Sequence, residues 1–178
     1  VHTLLHTFVG INGEAPYAGL VTDGADNFYG TTIYGGVIGL GTVYKITSTG
    51  VHNLLHSFDG SDGEAPTTGL VADGAGNFYG TTPIGGANSA GTVYKITSAG
   101  VYTLLHSFNS SDGNGPQAAL VADGAGNFYG STQEGGTNNK GTVYRITSAG
   151  AHTLLHSFIG SDGQSPQAAL AADGTGNF

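Results

Sequence analysis

Short runs in which apolar residues alternate with polar ones follow one another along the chain, separated by glycine-rich turns. Mid-chain they read Gly69–Asp73, Asn77–Thr82, Gly91–Thr97 and Val101–Phe108, and they are rich in β-branched and aromatic residues. Such residues suit a pleated, half-buried surface, so each run predicts a strand; the four are labelled a, b, c and d in that order. Asp73-Gly74-Ala75-Gly76 between a and b, and Ser98-Ala99-Gly100 between c and d, put glycines where tight hairpins need positive φ. No run carries the i, i+3, i+4 apolar spacing of a helix over a useful length. The fold class expected is all-β.

The pattern repeats. Val1-His2-Thr3-Leu4-Leu5-His6 returns as Val51-His52-Asn53-Leu54-Leu55-His56, and again from Val101 and from Ala151, a period of 50 residues without insertion. Residues 1–178 therefore form a single repeat array, with full repeats at 1–50, 51–100 and 101–150 and a partial one at 151–178. Four antiparallel strands in a unit of this length predict a β-propeller built of four-stranded blades. The alternative is a β-solenoid, whose coils are shorter and rarely hold two glycine-rich hairpins each. Read this way, the chain begins on a d strand over 1–8 and ends with strand a and the start of b. Three and a half blades do not close a ring, so the expectation is a longer natural chain, with a ring completed by a second copy as the other reading.

Gly69–Thr82 and Gly91–Thr97, with close copies in the other repeats, resemble the GloVer-type tandem repeats of bacterial exported and surface-anchored proteins. The likeness covers the entire chain. It implies export, an extracellular or cell-surface location and a propeller-like array, and it brings neither an enzymatic activity nor an agreed ligand.

Composition narrows the function. Charged residues make up only 9% of the 178, and the formal net charge is -8. Four cations (Lys45, Lys95, Lys140 and Arg145) are too few to neutralise a nucleic-acid backbone or to hold an anionic membrane surface. No apolar stretch approaches the ~20 residues needed to span a bilayer, so membrane insertion is not expected. With no cysteine, disulfides and thiolate metal sites are excluded.

Variation among the repeats is uneven. The a–b and c–d turns hardly change, whereas the b–c loops (33–40, 83–90, 133–140) and the d–a loops differ from copy to copy. In an up-and-down blade these two variable loop sets leave the same face, and loops on a rigid scaffold are where binding concentrates. Tyr17, Tyr34, Asn88, Gln133, Glu134, Asn138 and Asn139 are the candidate ligand-binding residues, a set able to stack on sugars and hydrogen-bond them. The partner expected is a glycan or a surface protein. The rival reading is a structural subunit of a surface layer or filament that self-associates through strand edges to complete blades.

Catalysis needs a nucleophile and base, or paired carboxylates, confined to one place. Nearly every ionisable residue here instead recurs with the period, so neither an enzyme nor a cofactor is expected. His52 and His56 would share an ion on a helix, but on a strand the same spacing leaves them ~13 Å apart. His6, His56, His106 and His156 are expected to hydrogen-bond a neighbouring strand. Asp23, Asp73, Asp123 and Asp173 each offer a single carboxylate, suited to a local turn bond and poor for calcium. No metal is expected.

Overall fold

The structure, a computed structural model, describes residues 2–173 and Asn177. It is all-β, with twelve strands in three four-stranded antiparallel sheets. Strands β1 (Val21–Thr22), β2 (Asn27–Thr32), β3 (Thr42–Thr47) and β4 (His52–Ser57) form the first sheet in that order. The second holds β5 (Val71–Ala72), β6 (Asn77–Thr82), β7 (Thr92–Thr97) and β8 (Tyr102–Ser107). The third holds β9 (Val121–Ala122), β10 (Asn127–Thr132), β11 (Thr142–Thr147) and β12 (His152–Ser157). Each sheet is one a-b-c-d set, with strand a cut to two residues: the two before it lie outside the ladder, and the aspartate after it belongs to the turn.

That aspartate builds the turn. Asp123 Oδ1 accepts from the amides of Ala125 and Asn127, and Oδ2 accepts from Asn127 Nδ2 at 2.6 Å. Gly124 and Gly126, at φ 75° and 85°, supply the left-handed backbone; the first repeat manages the second of these positions with Asp26 at φ 60°. The bond from the Asn127 side chain, with those from the Ala125 and Asn127 amides, holds the Asp123 carboxyl below its ordinary 3.8. We expect Asp123→Ala to cost about 0.5–1 kcal/mol at this exposed turn. Because the folded-state value is the lower one, that difference is full above 3.8 and fades as pH falls through it. Urea unfolding of both proteins at neutral and strongly acidic pH checks it.

The sheets are held to one another by cores that lie between them. One cluster joins Tyr29, Val43 and Phe58 to Leu70, Phe78, Tyr94 and Ile96. The other joins Tyr79, Ala90, Val93 and Phe108 to Leu120, Phe128, Tyr144 and Ile146. Strand alternation explains the division: Phe78 faces the preceding sheet and stacks on Tyr29 with ring centroids 3.9 Å apart, while Tyr79 faces the following sheet and stacks on Phe128 at 3.8 Å. The middle sheet thus contributes to both cores, and each outer sheet to one. One buried polar pair recurs in each sheet: the hydroxyls of Thr32 and Thr42, Thr82 and Thr92, and Thr132 and Thr142 bond at 2.7, 2.8 and 2.7 Å.

Each c–d hairpin carries a bulge. Val43 faces His56 and Tyr44 faces Leu54, leaving Leu55 as the extra residue, and the irregularity recurs at Leu105 and Leu155. The extra residue reverses the alternation. His52 therefore stacks on His6 of the preceding repeat, whereas His56, four residues on, stacks on Tyr102 of the following one.

Burial at equivalent positions reflects how many neighbours a sheet has. Leu70 and Leu120 are 7% and 4% exposed, while Leu20 is 53% exposed. The segment over residues 2–8, expected to be a d strand, is outside any ladder. A d strand takes its hydrogen bonds from a c strand, and among the described residues β3, β7 and β11 are already paired with β4, β8 and β12. The segment still packs as its counterparts do, with Phe8 against Tyr44 at 4.7 Å. At the far end, residues 171–173 are likewise outside a strand although Asp173 and Asn177 form the expected turn. Of the expected start of strand b, Asn177 is outside a strand, and Phe178 lies outside the described residues, as does Val1.

Candidate functional site

The d–a loop of each repeat meets the b–c loop that follows it on one side of the sheets. Backbone bridges pair Glu14 with Tyr34, Glu64 with Ile84 and Asn114 with Glu134. The b–c loops are tied to strand d as well: the amides of Val37, Ala87 and Thr137 donate to the hydroxyls of Ser57, Ser107 and Ser157, each at 2.8 Å. Long as they are, the variable loops have a fixed shape. That suits a binding surface, because little order has to be gained when a ligand arrives.

Strands β1 and β5 approach each other across the first two sheets. Tyr17, Thr67, Gln117 and Gln167, which follow Pro16, Pro66, Pro116 and Pro166, line one open groove of about 390 Å³ together with Ile33 and Pro83. Four successive repeats contribute to it, the first two with two side chains each and the others with one. No acidic or basic residue lines it, so the groove offers an aromatic face, two amides and a hydroxyl beside apolar walls.

Of the seven residues anticipated, Tyr17 lies in the groove, 76% exposed, and Gln133 stands beside it, accepting a bond from Gln117 Nε2 at 2.7 Å. The others do not line it. Tyr34 is exposed in the b–c loop and is held through its backbone by Glu14. Asn88 donates to the carbonyl of Phe108 at 3.1 Å, clamping its own loop. Glu134 accepts from Asn114 Nδ2 at 3.2 Å, and Asn139, at φ 53°, accepts from the amide of Gly135 at 2.8 Å. Asn138 is exposed at the tip of its loop. Thr67, Gln117, Gln167, Ile33 and Pro83 were not anticipated. A signal for them exists: a proline present in all four copies is followed by Tyr, Thr, Gln and Gln, a variable position held in a fixed setting.

The histidines expected to bond a neighbouring strand reach the next loop instead. His56, His106 and His156 meet Asp62, Asp112 and Asp162 at 2.8, 3.1 and 2.9 Å. Among the described residues, His106, Asp112 and His152 have ligand atoms within 4.8 Å of one another. Their two imidazoles, however, lie stacked at 4.1 Å with only 3° between planes. The nitrogen lone pairs lie in the ring planes, so they run side by side and do not converge on an ion as tetrahedral coordination needs. The slot of His152 is taken by Tyr102 one repeat earlier, which marks it as a packing position.

A family model described as the Gloeobacter/Verrucomicrobia repeat matches residues 1–178. No curated protein and no solved structure matches the chain.

Proposed function

Because the chain belongs to the Gloeobacter/Verrucomicrobia repeat family, we propose that its sheets are successive blades of a β-propeller serving as a non-enzymatic binding module at the cell surface. Its ligand is a glycan, or a surface protein, held on the face of the b–c and d–a loops. The observation that carries this reading is the groove to which all four repeats contribute side chains. An uncharged lining of tyrosine, amides and a hydroxyl suits a neutral sugar: the ring of Tyr17 packs on its C–H face, and Gln117 and Gln167 bond its hydroxyls.

A glycan array followed by titration calorimetry tests it. We expect binding to a neutral oligosaccharide that Tyr17→Ala weakens about five- to ten-fold. Tyr34→Ala, in the exposed b–c loop outside the groove, leaves it unchanged. Equal loss in both variants, or none in Tyr17→Ala, would remove the groove from the proposal.

A second reading, assembly into a layer or filament, is favoured by one observation: Leu20 is exposed where Leu70 and Leu120 are buried by the preceding sheet. A further repeat or another chain covers that face in this reading. Native mass measurement distinguishes the two, with discrete particles expected for the binding module and long polymers for the assembly.

A further inference from the structure

We propose that the seam between the second and third sheets is opened by mild acid because it is closed by two stacked histidines, and that the seam between the first and second is not, because a tyrosine fills one of the two places. The two seams are otherwise close copies. Tyr79 stacks on Phe128 as Tyr29 stacks on Phe78, and Phe108 meets Tyr144 at 5.0 Å as Phe58 meets Tyr94 at 5.3 Å. They differ at the rim. His106 lies on His152 with centroids 4.1 Å apart, whereas His56 lies on Tyr102 at 3.9 Å. Tyr102 also donates its hydroxyl to the carbonyl of Asp62 at 2.7 Å, a neutral bond that pH in this range does not touch. The chain contains its own control.

His152 has few ways to carry a proton in the closed seam. From the preceding sheet it faces His106 and the edge of Phe108, with Asp112 of the next loop close by; from its own sheet it faces Tyr144 at 5.6 Å. Asp112 is already engaged by His106 at 3.1 Å, where burial outweighs the pairing and holds His106 below its ordinary 6.5 as well. With His106 protonated, a charge on His152 would lie one ring-stack away from a cation. Its Nε2 is buried and, among the described residues, has no hydrogen-bond partner. The remaining charged groups on the strand are directed elsewhere: His156 meets Asp162 at 2.9 Å, and Arg145 of the adjacent strand donates to Thr153. The first seam of the chain shows the same pair, His6 on His52 at 4.2 Å, with Asn12 where the later repeats have Asp62 and Asp112.

The direction of the effect follows. Burial, reinforced by His106 and opposed by Asp112, pushes His152 down from 6.5 to about 4. Once the seam parts and water reaches the ring, the ordinary value returns. Between those two values the parted form takes up a proton that the closed form does not, so closure is fully present above 6.5 and weakens as pH falls. The full shift would favour opening about thirty-fold at about pH 5, and solvent screening of a half-buried ring reduces this to about ten-fold.

Hydrogen exchange of the intact chain, corrected for the intrinsic pH dependence of exchange, reads each hairpin separately. Between about pH 7 and about pH 5 we expect the β11–β12 hairpin to lose about ten-fold more protection than β7–β8. His152→Tyr, which copies the residue already at position 102, should abolish that excess. Tyr102→His should transfer it to β7–β8. Equal loss in both hairpins of the wild type, or an excess that persists in His152→Tyr, overturns the proposal. If His152→Tyr fails to fold, Tyr102→His decides alone, and an unchanged β7–β8 response in it overturns the proposal equally.

Discussion

Phe78→Ala should destabilise the protein by about 3–5 kcal/mol, the range for emptying a well-packed aromatic site, while Phe28→Ala costs less than half as much. Both residues stand in the same local sequence, Asn-Phe-Tyr-Gly-Thr. Phe78 is 1% exposed and lies on Tyr29 with centroids 3.9 Å apart, in a cluster with Leu70 and Tyr94. Phe28 is only half-buried. The difference measures chiefly the contribution of a neighbouring sheet, the ladder partner within the repeat changing only from Thr22 to Ala72. Equilibrium urea unfolding checks the ordering, read with hydrogen exchange because arrays of this kind lose sheets one at a time. Equal costs would mean that each sheet carries its own core, and would contradict the arrangement described above.

Gly80→Ala should cost about 3 kcal/mol, at the upper end for overpacking. In an ordinary strand the same change is favourable by roughly 0.5–1 kcal/mol, since alanine loses less backbone entropy than glycine. The sign is reversed because Gly80 faces Tyr94 across the ladder. A Cβ at this position would lie 2.5 Å from Tyr94 Oη, 2.6 Å from Cζ and 2.9 Å from Leu70 Cδ2. The tyrosine is fully buried and cannot swing away. Tyr94→Phe removes the nearest atom, so the double variant should recover about 1 kcal/mol, the cost expected when the larger part of a clash remains. By itself Tyr94→Phe should be close to neutral: the hydroxyl is buried and, among the described residues, has no hydrogen-bond partner to lose. Thermal denaturation of the two single variants and the double variant completes the cycle. Strict additivity would show that the crowding lies elsewhere, against Leu70.

The periodicity that was easiest to read is also what the structure follows most closely. Strands b, c and d of each internal repeat match their runs within a residue or two, and the Asp-Gly-x-Gly-Asn turns close as Asx turns. Strand a was read too long at both ends: Gly69 and Leu70 lie before the ladder, and the Asp73 side chain accepts the turn bonds after it. The bulge at Leu55 left no mark in the residues. His52, Leu54 and His56 obey a simple alternation on paper, and only the register of β3 against β4 shows that the two histidines face different neighbours. The groove was half legible. Tyr17 and Gln133 lie in variable loops and were found for that reason, but Asn88, Glu134 and Asn139 vary in the same loops while bonding to neighbouring protein groups, the Phe108 carbonyl, Asn114 Nδ2 and the Gly135 amide.

Local rules account for that division. Alternation, turn glycines and the 50-residue period act over a few residues or recur identically, so they specify four strands per repeat and their order within a sheet. Which residues meet between repeats depends on contacts separated by about one period, such as Tyr29 with Phe78 and His106 with His152. Those contacts arise when sheets pack face to face, and packing also decides that identical residues differ: Leu20 is exposed and Leu70 buried because only one of them has a sheet in front of it. The groove arises in the same way, since four residues 50 apart in the chain become neighbours when their sheets are brought side by side.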